Sequence, residues 1–459
     1  MTITMMTSFI APFMANSLNI AIPSIHTEFG GSQFQLNWIV TSYLLSSAAL
    51  ALPFGRLADL VGRKKMFTLG IFLFSLTSLA CSFAFSLYSL ILFRLFQGIA
   101  NAMVYGTAMA ILTSVIPQHE RGKALGINTA ATYIGLSLGP VLGGVICRYL
   151  SWRGIFLFGF TMDMVILMLT LLKLQGEWKG SEGERFDSWG SLFCVSGIAL
   201  LLLGLSNLTA ASSYILISLT GIVLLAIFLG HEMKTPSPLM PIKMLRKNTS
   251  FIFSNLATLI NYSATFAISY IVSLYLQLVL GLDTTVSGLI LLSQPVVMAV
   301  LSPITGRLSD KIEPKILASL GMGITTMGLF LFGFLGANTP IVLVILNLFL
   351  VGIGFAFFSS PNSNAVMSSI EKTYYAIASS TLGTMRLLGQ TLSMAIVSIV
   401  TSVNIGKLNL TSSDYPVRFL LSSRICFIVF TILCFLGIFA SLARGKMDNN
   451  RVDGVCKIE

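Results

Sequence analysis

Gly55-Arg56-Leu57-Ala58-Asp59 recurs as Gly306-Arg307-Leu308-Ser309-Asp310. Each copy sits between two long apolar runs. Working outward, the chain divides into fourteen such runs, at about 4–25, 38–54, 66–86, 88–112, 124–147, 153–173, 188–207, 213–230, 251–277, 285–304, 315–335, 338–360, 376–400 and 420–441. Each is near the roughly 20 residues that cross a bilayer as a helix. The first copy follows run 2 and the second follows run 10. That spacing predicts two six-helix halves with a helix pair between them: residues 1–175, an inserted pair at 176–250, residues 251–441, and a polar tail at 442–459. Parallel repeats about an axis along the membrane normal are a transporter architecture.

Composition leaves few rivals. Of 459 residues, 55% are hydrophobic and only 10% charged, against about 25% charged in soluble chains. Mean hydropathy is +0.87. A disordered chain, a collagen and an ordinary soluble enzyme are excluded. The runs are continuous rather than alternating, so helices span the bilayer and a barrel does not. The formal net charge of +11 is read through topology. Alternating loops place Arg148, Arg153, Lys407, Arg418 and Arg424 on one side and Arg94 and Arg386 within spans. The rest of the 28 Lys and Arg fall on the side of the termini. The positive-inside rule makes that side cytoplasmic in a plasma or inner membrane, so the charge does not indicate nucleic acid. The six cysteines form no C-x-x-C pair and the three histidines stand far apart. No metal site or cofactor is expected, and no phosphate-binding loop for ATP is present.

Polar residues inside the spans are the candidate working parts. Arg94, Gln97, Asn101 and Tyr105 are spaced 3, 4 and 4 apart, on one helix face. They line a substrate or proton route, or they form a packing network. Asn16 and Asn19 share a face of span 1. Gly135, Gly139, Pro140, Gly143 and Gly144 make a small-residue seam on span 5, suited to a hinge or to close packing. Asp163 is the one acid near the middle of a span and is a proton-carrier candidate. The second half offers Asn261, Tyr262, Gln294, Asn347, Arg386 and Gln390 as cavity residues. In the repeated pentapeptides glycine permits a tight turn, and Asp59 can accept N–H groups at a facing helix start. Arg56 and Arg63 can pair with acids such as Glu120. Gly55, Asp59, Arg63, Glu120, Arg121, Gly306 and Asp310 then form a cytoplasmic gate.

The same segments carry a resemblance. The chain resembles the major facilitator superfamily, in its fourteen-helix drug:proton antiporter branch. GRLADLVGRKK (55–65) is similar to its loop 2–3 motif, RLFQG (94–98) to its span 4 motif, and GLSLGPVLGG (135–144) to its antiporter motif. NIAIP (19–23) resembles the end of its span 1 motif, and Ser151-Trp152-Arg153 the start of its span 6. The resemblance implies proton-coupled export of amphipathic or lipophilic molecules by alternating access, driven by a proton gradient. It implies a monomer whose partners are the lipid bilayer, protons and a small substrate, and no enzyme chemistry. One departure matters: the span 1 motif has an aspartate where this chain has Met14. An importer, a uniporter or a lipid-related carrier of the same fold is the alternative.

Overall fold

The computed structural model describes residues 1–30, 33–180, 184–208, 213–242, 246, 248–405 and 415–444. Of the tail expected at 442–459, residues 445–459 lie outside the described residues, as does Lys407. Fourteen helices long and apolar enough to cross a membrane stand among the described residues. The first half holds α1 (Thr2–Phe29), α2 (Gln33–Val61), α3 (Arg63–Ser82), α4 (Leu87–Val115), α5 (Arg121–Leu150) and α6 (Arg153–Lys173). The inserted pair is α7 (Ser188–Ser206) and α8 (Ser213–Glu232). The second half holds α9 (Thr249–Val279), α10 (Thr285–Leu308), α11 (Pro314–Phe332), α12 (Ile341–Ser368), α13 (Tyr375–Asn404) and α14 (Tyr415–Leu442).

Each half has its own core. Phe13, Phe67, Trp152 and Phe156 centre the first; Tyr275, Phe332, Phe358 and Phe427 centre the second. The halves meet where α2 packs on α13 and α5 packs on α10. The inserted pair leans on that junction, with Cys194, Ile198 and Leu202 against Ala48, Ala49, Leu52 and Ile377. α9 breaks at Phe266-Ala267, where the Ala267 N–H donates to Ser393 Oγ of α13 at 3.1 Å. A broken helix survives in lipid only where a neighbour takes up the freed backbone group.

The helices outrun the apolar stretches, and this corrects the loop reading. α2 continues through Gly55–Asp59 to Val61, and α10 continues through Gly306 to Leu308. The glycines therefore do not turn the chain; they let helices touch. A Cβ on Gly55 would come within 2.3 Å of Ser380 Oγ, and one on Gly306 within 2.4 Å of the Gly122 carbonyl. The turn after α2 belongs to Gly62, at φ 130°, a conformation that side chains oppose.

The glycine seam of α5 packs on α1 inside one half. A Cβ on Gly135 would meet the Phe9 carbonyl at 2.3 Å, on Gly139 the Asn16 Cβ at 2.9 Å, and on Gly143 the Ser17 Cβ at 2.6 Å. Gly144 faces open space. Apolar burial gives helices no driving force within lipid, so such close approach and the hydrogen bonds it permits carry the association. Pro140 has no N–H and frees the carbonyl four residues back, which is that of Leu136. Asn16 Nδ2 donates to that carbonyl at 2.9 Å, and Ser17 Oγ donates to Gly139 O at 2.8 Å. Asn16→Leu is expected to lower the unfolding free energy of the purified protein by about 1–3 kcal/mol. In a Pro140→Ala background, where an N–H again reaches Leu136 O, the same change should cost well under half of that. Equal losses in both backgrounds, measured by thermal or denaturant unfolding, would show that Asn16 does not serve this carbonyl.

Candidate functional site

The face where α1 begins and α14 ends carries a latch between the halves. Asp59, fully buried, accepts the N–H of Ile377 at 3.2 Å and of Ala376 at 3.4 Å, in the first turn of α13. Asp310 accepts the N–H of Gly122 at 2.6 Å and of Lys123 at 2.9 Å, in the first turn of α5. Each half thus presents a carboxylate to a helix start of the other, where free N–H groups and the helix dipole favour negative charge. Burial pushes the Asp310 carboxyl above its usual range, against the pull of those two N–H groups. Arg63 Nε donates to Asp59 at 2.8 Å, and its Nη2 crosses to the carbonyl of Lys372 at 2.5 Å. The Tyr375 ring lies between the guanidinium groups of Arg63 at 5.5 Å and Arg121 at 5.2 Å.

Glu120 has a different place from the one expected. It is exposed, just before α5. Arg56 pairs instead with Glu184, and Glu177 caps α3 by accepting the N–H of Lys64 at 2.8 Å and of Lys65 at 3.2 Å. The acids therefore come from the polar loop between α6 and α7. Gly180 N–H also donates to the Asp59 carbonyl at 2.8 Å. The alternating charge of that loop was the available signal; its docking on α2 and α3 is a long-range fact that spacing does not carry.

The Arg94 stripe is sealed within the first half. Arg94 is 2% exposed and Gln97 fully buried. Arg94 donates to the Ile39 carbonyl at 3.1 Å and to Gln97 Oε1 at 2.5 Å, and Gln97 Nε2 donates to Ser78 Oγ of α3 at 2.7 Å. The Tyr43 ring lies 4.2 Å from the Arg94 guanidinium. Asn101 donates to Ser47 Oγ of α2 at 2.7 Å. Gln97 thus sits in an interhelical network, not on a wall of the junction between halves, because its side chain points to α3. Asp163 is 3% exposed with no hydrogen-bond partner for Oδ2 among the described residues.

Tyr105, at the end of the stripe, does reach the other half. Arg386 Nη1 donates to its hydroxyl at 2.5 Å, and the Arg386 guanidinium lies 5.0 Å from the Tyr262 ring. Tyr262 meets Phe355 edge to face at 5.2 Å, and Phe355 meets Tyr133 at 6.1 Å. Met298 completes this cluster. Tyr43, Tyr133, Phe355, Tyr375, Glu177 and Glu184 escaped the sequence reading, the aromatics because nothing marks them out among 33 Phe and 12 Tyr. The remaining candidates scatter. Asn19 is exposed and Gln390 half-buried. Asn347 bonds the Gly328 carbonyl of α11 at 2.9 Å, inside its own half. Asn261 is fully buried with neither amide atom partnered among the described residues, and Gln294 is buried with Oε1 unpartnered.

Comparison with known proteins agrees with this architecture. The family model of the Major Facilitator Superfamily matches residues 4–394 and 254–451. The riboflavin transporter RibZ of Clostridioides difficile (strain 630) is 27% identical over 95% of this chain and 94% of its own. The multidrug resistance protein Stp of Mycobacterium tuberculosis (strain ATCC 25618 / H37Rv) is 28% identical over 83% of this chain and 72% of its own. The crystal structure of the human organic anion transporter MFSD10 superimposes with a TM-score of 0.70 over 96% of this chain and 98% of that one, at 13% identity. Two repeated six-helix halves with an inserted helix pair, latched by reciprocal carboxylates and matched along their length by this family, place the chain in the Major Facilitator Superfamily as a membrane transporter.

Proposed function

We propose that the protein exports small amphipathic or lipophilic molecules in exchange for protons, by alternating access to a site between its halves. The observation that carries this reading is the pair of reciprocal caps, Asp59 on α13 and Asp310 on α5. They close the face of the termini, which the charge distribution makes cytoplasmic, around a cluster at Tyr105 and Arg386 that lies deeper between the halves. A two-state equilibrium moves from 1:99 to 99:1 for about 5.5 kcal/mol. Charge-assisted hydrogen bonds contribute about 1.5–3 kcal/mol each. Two such caps are of the right size to hold one state without freezing it. The name of Stp supports the multidrug reading. The name of RibZ, and Met14 in place of the span 1 aspartate, favour a carrier of one solute without that coupling group as the second reading.

Proton coupling is assigned to Asp163. A Cβ on Gly159 of α6 would come within 2.4 Å of Met14 Sδ, so Met14 packs on α6 at Gly159. Asp163 stands one turn further along the same face. In this reading the carboxylate that span 1 lacks comes from the facing helix.

In proteoliposomes, a pH gradient should drive a lipophilic dye against the proton flow, with measurable loss of the gradient. Dye movement without proton flux would leave a uniporter and end the antiport reading. Asp163→Asn should abolish proton flux while leaving dye binding within about twofold, and Met14→Asp added to it should restore part of the flux; unchanged coupling in Asp163→Asn removes the residue from the mechanism. For the gate, Ser380→Cys places a thiol at the buried contact with Gly55 and Gly106. Asp59→Asn or Asp310→Asn should speed its labelling by a water-soluble maleimide about tenfold, the factor for about 1.4 kcal/mol. No change in either variant would mean that the caps do not hold this state.

A further inference from the structure

Arg386 is a cation between the halves with no acid to answer it. Five ion pairs join described residues, namely Arg56–Glu184, Arg63–Asp59, Arg153–Glu28, His231–Asp187 and Lys315–Glu313, and Arg386 is in none of them. Its electrostatic neighbours are the phenols of Tyr105, Tyr262 and Tyr133. Its Nη1 donates to Tyr105, and its Nε has no partner. Arg94 also lacks an acid within hydrogen-bonding reach, but it is closed inside the first half. Arg386 stands half-buried at the junction that alternating access would open. An uncompensated guanidinium within a membrane protein is costly and draws an anion.

The surroundings are aromatic. Tyr105 and Tyr133 come from the first half; Tyr262 and Phe355 come from the second. The rings of Tyr262 and Phe355 stand at 88° and those of Tyr133 and Phe355 at 81°. Gly383 leaves room for Tyr105, since a Cβ there would lie 2.4 Å from its ring. Edge-to-face walls of this kind accept a further flat ring, by stacking or edge contact. The adaptable Met298 side chain is packed among them. No described acid pairs with Arg386, and none is among its electrostatic neighbours, so a cationic solute would meet the guanidinium without an acid to offset it.

We propose that the site between the halves takes a planar aromatic anion, its acidic group held by the Arg386 fork and its ring by Tyr105, Tyr133, Tyr262 and Phe355. This rests on the reading of that junction as the transport site and narrows its substrate class. A carboxylate matches a guanidinium bidentately. It would take over Nη1 from Tyr105, and so release a hydrogen bond that joins the halves.

The test uses the full chain in lipid nanodiscs and three fluorescent probes of one shape: 1-pyrenecarboxylate, 1-pyrenecarboxamide and 1-pyrenemethylammonium. The carboxylate is expected to bind at least about tenfold more tightly than the amide, with the ammonium weakest. Arg386→Gln should erase the difference between acid and amide. Arg386→Lys, which keeps the charge and loses the fork, should retain part of it. An amide or ammonium preference in the unaltered protein, a difference that survives Arg386→Gln, or no binding of any probe overturns the proposal. Proton-coupled movement of the ammonium alone in liposomes would sink this inference and leave the export reading standing. Carboxylate binding with no proton-coupled movement of any probe would do the reverse.

Discussion

Asp59 and Asp310 each reach the first turn of a helix in the opposite half, and the arrangement of the rest follows from that reciprocity. A helix start has N–H groups that the helix itself cannot use. In lipid, and at a dry junction between helices, water does not answer them either. The repeated pentapeptide solves this twice with one device. Its glycine removes a side chain so that the facing helix can approach, and its aspartate, four residues on and one turn along, meets the N–H groups brought within reach. Gly55 on Ser380 and Gly306 on Gly122 are the two approaches; Asp59 on Ile377 and Asp310 on Gly122 are the two caps. In the first copy contact and cap sit one turn apart on α2; in the second the cap lies two residues past the end of α10.

How far this was legible follows from the range of each interaction. Helix number, the repeat and the acceptor role of Asp59 lie in local pattern and in the symmetry between halves, and all three can be seen in the chain. The glycine of the motif was misread as a turn, because local preference alone does not distinguish a glycine that bends a chain from one that is approached by another. Asn16 was legible as polar within a span. Its task of answering the carbonyl freed by Pro140 depends on α1 lying against α5, and only the packing shows that. Glu184 and Glu177 were visible as charge in a loop, while their partners are set by where that loop docks.

The two intramembrane arginines show how environment, and not residue type, sets a role. Arg94 spends its donors on a carbonyl, on Gln97 and on the face of Tyr43, all within one half. Arg386 reaches across the junction to a neutral hydroxyl. A phenol is a weak partner for a guanidinium compared with a carboxylate, so an anion reaching Arg386 would compete well for this donor.

Coupling requires that the protonation site and the solute site bias the same two states. The Tyr43 ring lies 4.2 Å from the Arg94 guanidinium, and Tyr105 accepts a hydrogen bond from Arg386. The hydrogen bond that an anionic solute would break under the proposal is the one that Arg386 donates to Tyr105. That bond joins α4 to α13, and the same two helices meet the terminal-face latch through Ser380, shared by Gly55 and Gly106. In the proposed cycle, solute binding and opening would therefore meet at one helix, α13, which receives the Asp59 cap at its start and carries Arg386 three turns along.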